Sequence, residues 1–365
     1  MKITIERKSF IEALVIGGSM SGKAKTLPIL DMAKVTIKNK KAIISSFDGE
    51  VAITLRTDIL DNEEDMIFCV NSNDLSAILK SLKDETLVLD INESTCIIEH
   101  AKGRMEIIVS DSSEFPTPQK DDTSVIVPIN SNVLASWVKK SKCFIEQNDI
   151  RPIMSGMYIY AEGQEVGCAA TNAHKLYCEH IVNQNIAIDG KIDGVLTAKA
   201  LGALLGMLGG KDENVNLVFS DKNIAFQTNN AMLLCRKIEG RYPAFKSIIP
   251  KDSVIKCEVD VNELKDAVIR ANLMSGMTHL LKFTISGMNM HIESCDFDFG
   301  KKNSEDVMCS VEGDNIVIGF NGLFFLDCVN ALEGNNAIIK MTNEGKAVTF
   351  EEGDATFVLM PMRMQ

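Results

Sequence analysis

Residues 71–91 read Asn71-Ser-Asn-Asp-Leu75-Ser-Ala-Ile78-Leu79-Lys-Ser-Leu82-Lys-Asp-Glu-Thr-Leu87-Val-Leu89-Asp-Ile91. Leu75, Ile78, Leu79 and Leu82 fall at i, i+3, i+4 and i+7, which is one apolar stripe on a helix. Leu87, Leu89 and Ile91 then alternate as one face of a strand. The same arrangement is written twice more. Leu201, Leu204, Leu205 and Leu208 precede Val215, Leu217 and Phe219, and Phe325, Cys328, Val329 and Leu332 precede Ala337, Ile339 and Met341. A helix running into a strand is common, so one copy would decide nothing. Three copies at near-even intervals predict three equivalent domains.

A second series supports the repeat. Phe10, Ala13, Leu14 and Gly17 have counterparts in Leu134, Trp137, Val138 and Ser141, and in Leu264, Ala267, Val268 and Ala271. Each set follows a short alternating strand (Lys2–Ile5, Val125–Ile129, Val254–Val259), and the small residue closing each set lets the helix approach a neighbour closely. Between the helices, Leu27-Pro28-Ile29-Leu30 leads into alternating segments at Val35/Ile37, Ile43/Ser45 and Val51/Ile53/Leu55. Asn39-Lys40 and Asp48-Gly49 are turn signals, which predicts an antiparallel meander and not a β-α-β crossover. Arg151-Pro152-Ile153-Met154 and Thr171-Asn172-Ala173-His174 repeat the Leu27–Leu30 and Ser46–Gly49 signals. The fold class expected is α+β, three domains of antiparallel sheet with two helices each, the helices lying in 7–25, 71–83, 130–147, 197–210, 260–276 and 320–334. Pro116 and Pro118 mark a linker at Ser112–Asp122, and Tyr242-Pro243 marks a junction at Glu239–Asp252. Domains are therefore expected at 1–118, 124–245 and 246–365. The apolar tail Val358-Leu359-Met360-Pro361-Met362 is expected to close a core strand and line a groove.

A chain of 365 residues, 45% of them hydrophobic, can bury three cores. No apolar run approaches the ~20 residues of a membrane span. Lys2, Glu6, Arg7 and Lys8 interrupt any signal peptide, so a cytoplasmic location is expected. The 10 cysteines show neither Cys-x-x-Cys nor a nearby His at metal spacing and read as buried, reduced thiols. His100, His174, His180, His279 and His291 sit in no Ser, Cys or metal constellation, and Glu63-Glu64-Asp65 reads as a solvated turn. No catalytic residue, metal or cofactor is expected. Gly17-Gly18-Ser19-Met20-Ser21-Gly22-Lys23-Ala24 approaches a phosphate-cradling loop, but Ala24 stands where a Mg²⁺-holding Ser or Thr belongs. The segment also follows a helix where such a loop must precede one. A Gly/Ser-rich helix exit accounts for it better.

The formal net charge is −12, which taken alone argues against a nucleic-acid partner. Its distribution points the other way. The six helical stretches are net basic in sum, and the remainder is more acidic than the whole. Lys23, Lys25, Lys80, Lys83, Lys139, Lys140, Lys142 and Lys199 are the candidate DNA-facing cations. Charged residues also occupy the solvated faces of ordinary helices, so the balance alone admits either reading.

Three segments carry a resemblance. Ala170-Thr171-Asn172-Ala173-His174-Lys175-Leu176, Glu239-Gly240-Arg241-Tyr242-Pro243 and Met360-Pro361-Met362-Arg363 are similar to signature segments of the bacterial β sliding clamps, the processivity subunits of the replicative DNA polymerase. Leu27-Pro28-Ile29-Leu30 and Gly319-Phe320-Asn321 match as well, and the resemblance runs along the whole chain in order. It implies a head-to-tail homodimer whose six domains close a ring, helices lining the hole, sequence-independent contact with double-stranded DNA, and no catalysis. It also implies a groove for short hydrophobic-aromatic motifs of polymerases, clamp loaders and other partners. That groove maps onto Met154, Thr171, Ala173, His174, Lys175, Leu176, Pro243, Ser247, Ile248, Asn321, Phe324, Val358, Leu359, Met360, Pro361, Met362 and Arg363. The dimer contact maps onto Met105 and Ile107 at one end and Leu273 and Met274 at the other. The chain departs from the family at Asn172-Ala173 (usually Asp-Gly), at Lys175 (usually Arg), at Ser247 (where Arg is frequent) and at Gln365, one residue beyond the usual end. Lysine lacks the planar fork of arginine, which puts a bidentate contact at Lys175 in question. Without the resemblance, a peptide-binding adaptor that never encircles DNA stays open, and a nucleotide-dependent enzyme rests on the Gly17–Lys23 loop alone.

Overall fold

The computed structural model describes residues 1–23, 27–100, 102–118, 124–146 and 151–364. The first repeat runs β1 (Lys2–Glu6), α1 (Arg7–Gly17), β2 (Ala33–Lys38), β3 (Lys41–Phe47), β4 (Val51–Asp58), the short β5 (Asp61–Asn62), β6 (Met66–Val70), α2 (Ser72–Ser81), β7 (Thr86–Ile91), β8 (Thr95–His100) and β9 (Gly103–Ser110). The second runs β10 (Ser124–Asn130), α3 (Ser131–Lys142), β11 (Gly156–Gly163), β12 (Glu165–Thr171), β13 (Lys175–Val182), β14 (Ile188–Thr197), α4 (Ala198–Leu208), β15 (Asn214–Ser220), β16 (Asn223–Gln227) and β17 (Ala231–Arg236). The third runs β18 (Ile255–Asp260), α5 (Val261–Leu273), β19 (Leu280–Ser286), β20 (Asn289–Asp296), β21 (Lys301–Glu312), β22 (Ile316–Asn321), α6 (Gly322–Asn330), β23 (Asn336–Met341), β24 (Val348–Glu352) and β25 (Ala355–Leu359). With β5 set aside, every repeat is strand, helix, four strands, helix, three strands.

The residue that ends a strand often starts the next helix. Glu6, Asn71, Asp260 and Asn321 each accept two backbone N–H bonds from the first turn of the helix that follows, satisfying donors that a helix cannot satisfy itself. Such a cap contributes about 1 kcal/mol. The apolar stripes then go inward as their spacing predicts, with Leu75, Leu79, Leu134, Trp137, Leu201, Leu264 and Phe325 all buried. The Gly/Ser-rich loop finds its explanation at the end of α1. A Cβ on Gly17 would lie 2.7 Å from the Ile44 carbonyl oxygen, and one on Gly18 would lie 2.3 Å from the Ser72 hydroxyl. These glycines let α1 pack against β3 and the start of α2, and nothing in that contact cradles a phosphate.

Pairing is antiparallel throughout, and it repeats. The four strands after the first helix pair third to second, second to first and first to fourth, as in β4·β3, β3·β2 and β2·β6. The three strands after the second helix extend from the opening strand, as in β1·β7, β7·β8 and β8·β9. Two further pairings join repeats. β17 pairs with β4, Leu233 opposite Ile53, and β25 pairs with β13, Tyr177 opposite Phe357. The results are a 13-stranded and a 12-stranded antiparallel sheet.

Two compact units follow the sheets: Met1–Ala135 with Lys199–Lys237, and Ser136–Ala198 with Ile238–Gln365. The second repeat is shared between them, because β10 and β15 to β17 continue one sheet while β11 to β14 continue the other. Sheet continuity therefore cuts the chain differently from repeat identity.

Candidate functional site

The groove segments gather within the second unit, and the β12–β13 hairpin organises them. Asn172 Oδ1 accepts the N–H groups of His174 (3.0 Å) and Lys175 (3.1 Å). The Thr171 hydroxyl accepts the Ala173 N–H (3.1 Å) and donates to the Lys175 carbonyl (2.7 Å). An Asn does here what an Asp would, since only an acceptor oxygen is needed. Ala173 sits at φ +75°, in the left-handed region that suits glycine, so this departure stores strain of about 1 kcal/mol.

The exposed His174 ring stacks on Phe324 of α6, centroids 5.7 Å apart. Its backbone carbonyl accepts the Met360 N–H (2.9 Å), and two residues on the Met362 N–H bonds the Gly319 carbonyl (2.8 Å). The chain end is thus laid between the β13 hairpin and β22. Gly319 is needed for that, because a Cβ there would lie 2.9 Å from the Met362 carbonyl oxygen. Asn321 serves as the cap of α6 and fixes Phe324 beside His174.

The Tyr242-Pro243 junction closes the far side. Tyr242 stacks on Tyr158 with centroids 4.5 Å apart, and Phe245 packs beside them with Leu176 and Val358. A short 3-10 turn, Phe245–Ser247, then delivers Ile248 to the surface, 51% exposed.

Not all of the expected lining reaches the surface. Met154, Thr171, Leu176, Val358 and Leu359 are buried core. Ala173, His174, Pro243, Ser247, Ile248, Met360 and Arg363 are exposed, with Phe324, Pro361 and Met362 half-buried. Lys175 requires a correction. Its side chain is buried, its ammonium pairs with Asp327 of α6, and it lies over the rings of Phe324 (4.9 Å) and Phe144 (5.6 Å). It staples α6 to β13 and presents no cation to a bound peptide. Asp327, its partner, was invisible in the sequence because nothing local links the two.

Family models for the DNA polymerase III beta subunit match the chain throughout: the N-terminal domain over residues 1–119, the central domain over 128–244 and the C-terminal domain over 246–363. The chain belongs to the DNA polymerase III beta subunit family. A beta sliding clamp of Staphylococcus aureus is 22% identical across 100% of this chain and 99% of its own. One from Bacillus subtilis is 24% identical across 94% of this chain and 93% of its own. A sliding clamp of Pseudomonas aeruginosa bound to griselimycin superposes with a TM-score of 0.95 at 20% identity, and the Bacillus subtilis DNA polymerase sliding clamp with 0.91 at 22%, each covering 100% of both chains.

The candidate DNA-facing lysines of this family member divide by partner. Lys23, Lys80, Lys83, Lys139 and Lys142 are exposed, whereas Lys25 lies outside the described residues. Lys140 is only 10% exposed, held by Glu179 at 3.1 Å and Glu333 at 3.8 Å. Lys199 is held by Asp48 at 2.7 Å and Glu50 at 3.4 Å. Both leave the set of free cations, because a lysine already facing carboxylates has little charge to offer a phosphate. Of the expected dimer contacts, Leu273 and Met274 are exposed, and Met105 and Ile107 are half-buried on β9. The thiols are mostly buried as expected, but Cys143 is exposed.

Proposed function

We propose that the chain is a DNA sliding clamp. Two copies close head to tail around duplex DNA, and the groove tethers the replicative polymerase and other motif-bearing partners, conferring processivity without a reaction of its own. The strand junctions carry this reading. Twice within the chain, the last strand of one repeat pairs with the third meander strand of the preceding repeat, β17 with β4 and β25 with β13. The remaining equivalents are β9, last in repeat one, and β21, third in repeat three. Among the described strands, residues 103–108 of β9 pair only with β8, and residues 301–308 of β21 only with β20. Each has an edge left over, and a second copy supplies the missing partner to both, giving six domains in a closed cycle.

The domains we assign are 1–118, 124–245 and 246–365, a division that the limits of the three family models support. Lys23, Lys80, Lys83, Lys139 and Lys142 supply the sequence-independent attraction to phosphates, and none of it requires reading a base. No described helix is long and apolar enough to cross a membrane, and a replication role suits the cytoplasm. Griselimycin, bound in the Pseudomonas aeruginosa clamp structure, serves as a probe for the groove of this chain. The test is topological. Loaded by a clamp loader onto nicked circular DNA, the protein is expected to stay bound through gel filtration and to run off once the circle is cut. Equal loss from both templates would sink the reading.

A further inference from the structure

We infer that Lys140 and Phe144, at the end of α3, are positioning residues for the groove: neither lines it, yet together they set the two strands that present His174 and Met360. The inference rests on the groove reading above and deepens it. Side chains alternate along β13, so Lys175, Tyr177 and Glu179 share one face of the strand. All three turn to the end of α3. Glu179 Oε2 accepts from the Lys140 ammonium (3.1 Å) and from the Tyr177 hydroxyl (2.8 Å), the Tyr177 ring lies 5.9 Å from that of Phe144, and the Lys175 ammonium stands 5.6 Å from the Phe144 centroid. Phe144 reaches the neighbouring strand as well. It meets Phe357 of β25 at 5.7 Å, and Phe357 stacks on Tyr177 at 5.2 Å across the β13·β25 pairing. One fully buried ring thus supports both the strand that starts at the His174 hairpin and the strand that ends at Met360.

The first repeat shows that this contact does not require charge. Phe47 opposite Ala52 and Thr171 opposite Leu176 close equivalent hairpins, so Lys175, Tyr177 and Glu179 correspond to Val51, Ile53 and Leu55 of β4, and in the equivalent helix Lys140 corresponds to Ile16. Val51, Ile53 and Leu55 are buried, and an apolar face suffices there. In the second repeat, where His174 is exposed, the same face carries a largely buried ion pair whose desolvation apolar residues would not incur. What the pair supplies is register. An apolar contact tolerates sliding, whereas a buried ammonium and carboxylate have one good geometry. The tie extends to α6, whose Phe324 stacks on His174. Glu333, just past α6, stands 3.8 Å from the Lys140 ammonium and accepts the Ser136 hydroxyl, one turn back on α3, at 3.3 Å.

The test gives the second repeat the chemistry of the first. In the full chain, Lys140→Ile with Tyr177→Phe and Glu179→Leu removes the charges and the hydroxyl together, so no buried charge is left unpaired. This variant is expected to melt within a few degrees of the wild type, yet to bind a polymerase-derived motif peptide roughly fivefold more weakly in calorimetry. Its Met360 amide, which donates to the His174 carbonyl, is expected to exchange with solvent faster. Lys140→Arg keeps the pair and is expected to bind the peptide as the wild type does. Should the triple variant not fold, Lys140→Gln, which retains a donor for Glu179, takes its place with the same two readouts. Wild-type affinity and unchanged Met360 exchange, or an equal loss of affinity in Lys140→Arg, overturn this inference while leaving the groove reading intact. A wild-type chain that ignores the peptide overturns the groove reading and this inference with it.

Discussion

The loops at Asp48–Val51 and Asn172–Lys175 hold the same place in consecutive repeats, yet one is shut and the other open. In the first, the Asp48 side chain has no exposed surface, and Lys199 of α4 closes over it. In the second, the lysine belongs to the loop and turns inward to Asp327, while His174 and Met360 are exposed and Phe324 lies half-buried beside His174. Equivalent backbones thus yield a plug or a groove according to which side of the loop the ion pair occupies.

The strongest way to break the comparison is to remove the plug. Lys199→Met leaves Asp48 buried without its cation, and a loss of about 3 kcal/mol is expected from urea unfolding, the lower end for such a change because two backbone N–H groups still hold the carboxylate. The pH dependence sharpens this. Burial alone would raise the Asp48 carboxyl, but Lys199 and the N–H groups of Val51 and Glu50 outweigh it and hold the group below the usual range. That stability is complete above the unfolded value of about 4 and is lost as pH falls through the lowered folded value. Lys199→Met should flatten this acid limb, and an unaltered limb would remove the ion pair from the account.

Lys175→Met comes next, with about 2 kcal/mol of destabilisation, less because Asp327 is partly solvated. Its second readout is groove affinity, expected to fall as α6 loosens. His174→Ala and Met362→Ala should each weaken binding of a polymerase-derived motif peptide by about 1–2 kcal/mol in calorimetry, with the fold unchanged. Unchanged affinity in both would move the groove elsewhere. The smallest effect is a gain: Ala173→Gly should stabilise the protein by about 1 kcal/mol by relieving a left-handed alanine. Equal melting temperatures would show that the loop carries no such strain.

The threefold repeat was legible because each copy prints its own apolar spacing, and the helices follow Leu75, Leu201 and Phe325 as written. The helix ends were less so: the predicted 7–25 stops at Gly17, where packing against Ile44 decides. The segments expected to line a groove were legible through motifs, and the structure brings His174, Phe324 and Met360 together. The fates of Lys140, Lys175 and Lys199 were not, since each is decided by a carboxylate brought near only by folding: Glu179, Asp327 and Asp48. Strand partners such as β17 and β4 are equally silent, because a strand's own alternation says which face is buried and nothing about its neighbour.

The leftover edges on β9 and β21 have one more consequence. A head-to-tail contact contains no instruction to stop at two copies, since every added copy carries the same free edges forward until the two ends meet. A substitution that leaves both edges intact but prevents the ends from meeting would turn hoops into open filaments. Preparations of such variants should be inspected for fibres before being scored as unfolded.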